Sequence, residues 1–201
     1  MILPDQFKKL VEDMGDSGTV RYRYNSPLSQ ISTFRIGGDA DVIIYPKTSA
    51  AAKHLIAGAK ECGVRYDFFG NCSNVLFDDN GYRGAVILTG DMSSVTVSGN
   101  TLTAECGASL VSVTLAAEKA GLSGLEFAYG IPGSVGGAVY MNAGAYGGEM
   151  SDVVLSTGFV TRDMVVGTLS GADHRFGYRK SAYSEGVGFL LSATFGLIPA
   201  E

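Results

Sequence analysis

The sequence predicts an α+β protein in two lobes, a small α/β lobe over residues 1–83 and a larger α+β lobe over residues 84–201. Two observations predict this class. Segments with the apolar spacing of helices alternate with short β-branched runs that are typical of strands. Hydrophobic residues make up 46% of the 201 residues and charged residues 17%, which is enough apolar chain to bury a core.

The first lobe is expected to run helix, strand, helix, strand. Over residues 5–14 the apolar positions recur at helical spacing, which predicts an amphipathic helix. Residues 41–45 form a β-branched run that ends at a proline, and Thr48 then suits the N-cap of a helix over residues 49–62. Residues 65–69 predict a strand that leads into a glycine loop.

The second lobe is expected to be richer in strands. Short apolar runs are punctuated by turn residues, and Ser98-Gly99-Asn100 suits a hairpin turn. The predicted elements are strands over residues 84–88, 94–97, 102–106, 153–161, 164–169 and 188–196, and a helix over residues 109–120.

Composition excludes several classes of function. The 15 basic and 20 acidic residues give a net charge of −5 without a basic patch, so nucleic acid is not an expected partner. The three cysteines and two histidines have no metal-ligand spacing, and no disulfide framework is expected. No apolar run is long enough to span a membrane and no signal core is visible, so we expect a cytoplasmic protein without a membrane partner.

Residues 70–76, Gly-Asn-Cys-Ser-Asn-Val-Leu, directly follow a predicted strand. Successive backbone N–H groups in such a loop can form a concave anion site, and serine and asparagine side chains can add donors. A pyrophosphate is a natural guest, although the same pattern also suits an ordinary loop. The motif does not open a helix, which disfavours the dinucleotide-binding fold of the GxGxxG type.

Residues 129–148 interleave glycines with small and apolar residues rather than charged ones. A flexible linker would be polar. The pattern instead favours backbone packed against a flat ligand such as the isoalloxazine ring of a flavin, whose polar edge amides can bind. A tightly packed core turn is the alternative.

Two further segments are less specific. Residues 175–181 hold two arginines, a lysine and a tyrosine that could clamp an anionic substrate, or form a solvated strand end. Residues 29–38 place Thr33 before an expected apolar strand start and a Gly-Gly turn, which alone indicates little.

Together these segments resemble the UDP-N-acetylenolpyruvoylglucosamine reductase (MurB) family, flavoenzymes of peptidoglycan precursor synthesis. The matching stretches run in order through most of the chain: residues 33–38, 70–76, 130–138, 141–147 and 176–179. The resemblance implies a FAD-binding fold of the PCMH/vanillyl-alcohol-oxidase type, in which two α+β subdomains clamp non-covalent FAD and a third domain binds substrate. It also implies that NADPH reduces FAD and that hydride then passes to the enolpyruvyl group of a UDP-sugar.

The resemblance also assigns roles to residues. Arg179 matches the family's catalytic arginine, which polarises the substrate carboxylate and the enolate-like intermediate. Tyr146 and Tyr178 would contact the UDP-sugar. The residues that would bind FAD are Thr33, Ile36, Gly70, Asn71, Cys72, Ser73, Asn74, Val75, Ile131, Pro132, Gly133, Ser134, Gly136, Gly137 and Gly144.

The sequence departs from the family pattern at two points. Cys72 stands where the family usually has glycine, so its side chain is expected to crowd the approach of the pyrophosphate. The family's third domain supplies a serine proton donor and a catalytic glutamate, and no matching motif occurs before Glu201. We therefore expect the chain to bind FAD but to turn over poorly or not at all.

Two other functions stay open. One is another oxidoreductase of the same flavin fold; covalent FAD attachment is disfavoured because both histidines, His54 and His174, lie outside the glycine loops. The other is a non-catalytic module that binds a flavin or a UDP-sugar.

Overall fold

A computed structural model describes residues 3–200, and its contacts divide the chain into two compact units, residues 1–92 and 93–201. The predicted boundary after residue 83 falls inside a strand of the first unit, so it is too early. That strand pairs with two other strands of the first unit, and this pairing fixes the division at residue 92.

The first unit is a four-stranded sheet with two helices. Its strand order is β1-β2-β4-β3, in which β4 lies between β2 and β3 and runs parallel to both, whereas β1 is antiparallel to β2. The elements are α1 (Asp5–Asp16), β1 (Val20–Pro27), β2 (Asp39–Pro46), α2 (Ser49–Glu61), β3 (Tyr66–Phe69) and β4 (Tyr82–Leu88).

Most of these elements confirm the sequence-based predictions. Thr48 caps α2 as expected, because its side chain accepts a hydrogen bond from the Ala51 N–H at 3.1 Å. Strand β1 was not predicted, since its arginines and tyrosines mask the apolar alternation of an edge strand. The strand expected near residue 34 is absent, and β2 begins only at Asp39.

The connection from β3 to β4 positions the first candidate loop. Parallel neighbours need a crossover, and here residues 70–81 cross the sheet without a helix. Cys72 and Phe77 of this connection are buried against Ile43, Val86 and other apolar residues of the sheet. The loop is therefore fastened to the core through its apolar side chains.

The second unit is built around a five-stranded antiparallel sheet of order β11-β10-β12-β6-β5, accompanied by two separate two-stranded sheets. Its helices are α3 (Leu110–Lys119), α4 (Val135–Tyr140) and α5 (Met150–Val153). Its strands are β5 (Val95–Ser98), β6 (Thr101–Glu105), β7 (Leu122–Ser123), β8 (Gly144–Ala145), β9 (Gly148–Glu149), β10 (Val154–Val160), β11 (Val166–Ser170), β12 (Phe189–Gly196) and β13 (Ile198–Pro199).

The predicted hairpins and helix of this unit are confirmed, but the glycine-rich segment is not simply a loop. Residues 135–140 form α4, whose N-cap Ser134 accepts a hydrogen bond from the Gly137 N–H at 3.4 Å. A Cβ at Gly136 would lie 3.1 Å from the Cβ of Cys106, so this glycine permits close packing of the helix. Among the described helices of both units, none is long and apolar enough to cross a membrane.

Candidate functional site

In the first unit the structure brings two predicted motifs together. The Thr33 N–H donates to the Cys72 carbonyl at 3.3 Å, and the Ser32 hydroxyl donates to the Val75 carbonyl at 3.3 Å. Residues 31–38 are thereby fastened along the loop of residues 70–76. Ser32 is buried and was missed by the sequence analysis, because a lone serine carries no signal of such a cross-loop bond.

The loop of residues 70–76 presents a row of hydrogen-bond donors. Within residues 3–200, its backbone N–H groups find no hydrogen-bond acceptor, and neither do the side chains of Asn71, Ser73 and Asn74. N–H groups without a protein acceptor bind water or an anion. The N–H groups of this loop are therefore available to water or to an anion.

Cys72 does not crowd this row of donors. Its side chain is only 3% exposed and packs into the core of the first unit, so the expectation that it obstructs the anion is wrong. Burial raises the pKa of the Cys72 thiol to about 12. The cost of a non-glycine residue here is instead conformational, since Cys72 has a left-handed φ of 49°.

Segment 33–38 is shaped by its two glycines. Gly37 has a φ of 128°, and a Cβ there would lie 2.6 Å from the Cβ of Phe77. The Gly38 N–H donates to the Asp78 carbonyl at 3.0 Å. Gly37 thus lies close to Phe77, and the side chains of Thr33 and Ile36 are exposed beside the loop of residues 70–76, here called the donor loop.

In the second unit the glycine-rich segment is only partly available to a ligand. The N–H groups of Val135, Gly136 and Gly137 bond to Ala108, Cys106 and Ser134 within the protein. Within the described part of the chain, the N–H groups of Gly130, Gly133 and Ser134 have no acceptor. Free amides therefore precede α4, whereas Gly136 and Gly137 offer a ligand only van der Waals contact.

The same unit holds an open cleft of about 420 Å³. It gathers residues that the resemblance singled out from two distant stretches of sequence: Gly144, Tyr146, Tyr178 and Arg179. The side chains of Tyr146 and Tyr178 are 95% and 90% exposed. Such exposure of two neighbouring aromatic rings is typical of a binding surface.

A single carboxylate forms ion pairs with two of the three cationic side chains in residues 175–180. Glu185 lies 3.2 Å from the Arg175 guanidinium and 3.6 Å from the Lys180 ammonium. Within residues 3–200, Arg179 has no carboxylate partner. Of these three cations, Arg179 is the one that lines the cleft.

Carboxylates also line this cleft. The pKa of Glu149 is lowered by hydrogen bonds first from Ser151, whose hydroxyl lies at 2.6 Å, and then from Asn142. Glu149 and Asp152 form a reciprocal cap at the start of α5. Neither carboxylate was predicted as a site residue, because the glycines around them dominate the sequence pattern.

His174 is structural rather than a ligand-binding group. It is fully buried, its ring stacks on Phe176, and its Nδ1 faces the Gly171 carbonyl at 3.1 Å. A carbonyl only accepts, so Nδ1 carries the proton and Nε2 accepts from the Thr157 hydroxyl at 3.0 Å. His54, the other histidine, is exposed on α2.

Comparison with known proteins places the chain among flavoproteins. The family described as "FAD binding domain" matches residues 40–170. The UDP-N-acetylenolpyruvoylglucosamine reductase of Caldicellulosiruptor bescii is 46% identical over 89% of this chain and 57% of that protein. That of Pediococcus pentosaceus is 44% identical over 86% of this chain and 58% of that protein. The chain spans less than three fifths of the length of these two relatives.

Similarity to solved structures also places the chain among flavoproteins. The UDP-N-acetylenolpyruvylglucosamine reductase of Thermus caldophilus matches with a TM-score of 0.75 and 31% identity over 90% of this chain and 63% of that chain. BBE-like 1 of Physcomitrella patens matches with a TM-score of 0.69 and 19% identity over 96% of this chain and 44% of that chain, which shows the fold alone. The predicted flavoprotein fold is confirmed, and the chain belongs to the FAD binding domain family.

Proposed function

We propose that this chain is the FAD-binding portion of a UDP-N-acetylenolpyruvoylglucosamine reductase of peptidoglycan precursor synthesis. The reaction would reduce UDP-N-acetylglucosamine enolpyruvate to UDP-N-acetylmuramate with NADPH in the cytoplasm. The observation that carries the proposal is the cleft lined by Gly144, Tyr146, Tyr178 and Arg179. Similarity to reductases of that name, at 46% identity, supports it.

FAD would be held in the first unit by the donor loop. The free N–H groups of residues 70–75 suit its pyrophosphate, and Asn71, Ser73 and Asn74 add side-chain donors. The exposed side chains of Thr33 and Ile36 would contact the cofactor beside this loop. When bound, FAD supplies the hydride-transfer chemistry that no amino-acid side chain provides.

In the second unit the residues proposed to contact FAD precede and follow α4. Gly133 and Ser134 offer free amides to the polar edge of the flavin, while Ile131 and Pro132 offer apolar contact. Gly136, Gly137 and Gly144 are proposed to allow close approach of the ring, because they have no side chain.

Arg179 would bind the carboxylate of the enolpyruvyl group. A guanidinium matches a carboxylate with two parallel hydrogen bonds, and its fixed charge would stabilise negative charge that develops on the substrate during reduction. Tyr146 and Tyr178 would pack against the sugar nucleotide. The proton donor is proposed to come from chain beyond residue 201, since the relatives are longer.

FAD binding tests the first part of the proposal. The purified chain should be yellow, and flavin fluorescence titration should show saturable binding. Asn74→Asp places a negative charge in the exposed donor loop and should weaken FAD binding about tenfold, because like charges repel. Asn25→Asp makes the same change on the exposed β1 and should leave the affinity unchanged. Colourless protein that stays colourless with added FAD would contradict the proposal.

Turnover tests the second part. The FAD-loaded chain should bind the enolpyruvyl UDP-sugar but reduce it slowly or not at all with NADPH. Rapid NADPH-dependent reduction by residues 1–201 alone would contradict the claim that further chain supplies the proton donor. Stabilisation of the chain by UDP-N-acetylglucosamine but not by FAD would instead indicate a UDP-sugar-binding module.

A further inference from the structure

Asn142 is a buried polar residue directly after α4. It is 3% exposed and has a left-handed φ of 43°, a conformation that asparagine tolerates better than most residues. A buried amide needs partners for its donors and its acceptor. The destinations of its hydrogen bonds therefore indicate its role.

The Asn142 side chain hydrogen-bonds the Glu149 carboxylate and joins two other segments. Its Nδ2 donates to the Gly177 carbonyl at 3.2 Å, and its Oδ1 accepts from the Ser151 N–H at 2.9 Å. The first bond crosses 35 residues of sequence to the turn that carries Arg179. The second reaches the beginning of α5.

The turn held by this bond is short and is closed by two hydrogen bonds. The N–H of Gly177 donates to the Lys180 carbonyl and the N–H of Lys180 donates to the Gly177 carbonyl, both at 3.1 Å. Tyr178 and Arg179 occupy its tip, and Arg179 has a φ of 55°. The Gly177 carbonyl thus accepts two hydrogen bonds, one that closes the turn and one from Asn142.

A second bond secures the other side of the turn. The Ser181 hydroxyl, fully buried, donates to the Tyr140 carbonyl at 2.8 Å. Both flanks of the turn are therefore attached to the C-terminal end of α4. The backbone at the base of the arginine side chain limits which part of the cleft its guanidinium can reach, so fixing the turn narrows that region.

We propose that Asn142 is a positioning residue that fixes the turn of residues 177–180, so that Arg179 meets the carboxylate of an anionic nucleotide sugar in the cleft. The inference rests on the proposed function of Arg179. It assigns part of the specificity of the cleft for a carboxylate-bearing ligand to Asn142, which lines the cleft and acts on Arg179 through the turn that it holds.

Asn142→Asp is the discriminating variant. Aspartate keeps the shape of the side chain, tolerates the left-handed backbone and still accepts from Ser151, but it sets a carboxylate oxygen against the Gly177 carbonyl. Asn25→Asp is a matched control, since Asn25 also has a left-handed φ of 44° and is exposed on β1.

The first readout is amide hydrogen exchange of the Lys180 N–H by NMR on the 201-residue chain. In Asn142→Asp we expect exchange about tenfold faster, as for the loss of one buried hydrogen bond, and no change in Asn25→Asp. Unchanged exchange of Lys180 in Asn142→Asp would overturn the proposal.

The second readout is calorimetric affinity for the enolpyruvyl UDP-sugar compared with UDP-N-acetylglucosamine, which lacks the carboxylate. Wild type should prefer the carboxylate-bearing ligand about tenfold, Arg179→Ala should abolish the preference, and Asn142→Asp should reduce it. The double variant should be no worse than Arg179→Ala, since Asn142 acts through Arg179.

The affinity measurements distinguish the positioning role of Asn142 from the proposed function of Arg179. Equal weakening of both ligands in Asn142→Asp, or full additivity in the double variant, shows a role independent of Arg179 and overturns the inference. A wild type that is indifferent to the carboxylate contradicts the proposed function of Arg179. In that case the exchange of Lys180 still decides whether Asn142 holds the turn.

Discussion

Left-handed backbone recurs among the side chains of the candidate site. Positive φ angles of 43° to 55° occur at Arg35, Cys72, Asn142, Tyr146 and Arg179. Each such residue costs about 1 kcal/mol or more, and the cost persists only where the surroundings enforce the conformation. The conformation serves both orientations of a side chain: Cys72 and Asn142 are buried, whereas Arg35, Tyr146 and Arg179 are exposed.

The burial of Cys72 predicts its chemical reactivity. With a pKa of about 12, roughly one thiol in ten thousand is ionised at pH 8, and the thiolate is the reactive form. Iodoacetamide should therefore modify the partly exposed Cys62 first and Cys72 only when the chain unfolds, as peptide mass spectrometry would show. Equal rates at the two cysteines in the folded protein would contradict the inward orientation of Cys72.

At the scale of elements, close packing accounts for part of the glycine density of residues 130–148. Gly136 lets the helix approach Cys106, and a Cβ at Gly148 would lie 2.9 Å from the Phe127 ring. Gly130 and Gly147, by contrast, have open space where a Cβ would stand. One glycine-rich pattern thus serves internal packing at some positions and leaves exposed backbone at others.

The segment that carries Arg179 is anchored by a buried hydrogen-bond chain. The Tyr183 hydroxyl lies 2.6 Å from the Thr157 hydroxyl, which bonds to His174. The chain is consistent when His174 is neutral, because Nε2 then accepts from Thr157. Burial lowers the pKa of His174, and bonding to Gly171 and the charge of Asp173 only partly oppose this.

Stability should therefore fall as the protein is acidified through pH 6.5. The unfolded histidine has its ordinary pKa of 6.5 and the folded one a lower pKa, so the unfolded state binds more protons below that pH. The contribution of His174 is fully present above pH 6.5 and is lost progressively below it. Thermal unfolding between pH 7.5 and 5.5 should show this loss in wild type and less of it in His174→Gln.

The exposed His54 provides the control for this experiment. His54→Gln should keep the wild-type pH dependence, because the His54 imidazole stays in contact with solvent when the chain folds. The carboxylates with lowered pKa values, such as Asp91 and Glu149, titrate below this window. An identical pH dependence in wild type and His174→Gln would show that His174 does not destabilise the acidified protein.

At the scale of the whole molecule, net charge does not favour an anionic cofactor. The chain carries −5, so a pyrophosphate must be bound by local dipoles rather than by the overall field. The free N–H groups of residues 70–76 are such dipoles. Binding of FAD should accordingly depend little on salt, unlike binding through a lysine- and arginine-rich surface.

FAD should stabilise the whole chain by mass action. A ligand that binds only the folded state adds about 2.7 kcal/mol at one hundred times its dissociation constant. The midpoint of thermal unfolding should rise steadily with FAD concentration and much less with riboflavin, which lacks the pyrophosphate. Equal shifts with both ligands would indicate that the donor loop does not bind the pyrophosphate.

Much of the fold followed from local pattern. The apolar spacing over residues 5–14, the cap at Thr48 and the turn at Gly99 each depend on neighbours in sequence, and these elements were predicted correctly. Strand β1 and helix α4 were missed, because an edge strand with polar faces and a helix with two glycines contradict local propensity. Tertiary packing overrides propensity at both.

The sequence by itself determined that the chain belongs to the FAD binding domain family, since the order and spacing of the glycine motifs can be read without any knowledge of contacts. Only the tertiary structure decided that the Cys72 side chain points into the core. It also decided that Glu185 forms ion pairs with Arg175 and Lys180 but not with Arg179. The hydrogen bond from Asn142 to the turn of residues 177–180 is a third such fact. Each of these facts is a contact between a side chain and a distant segment or the core. Such contacts depend on how the chain folds back on itself, which local residue patterns do not encode.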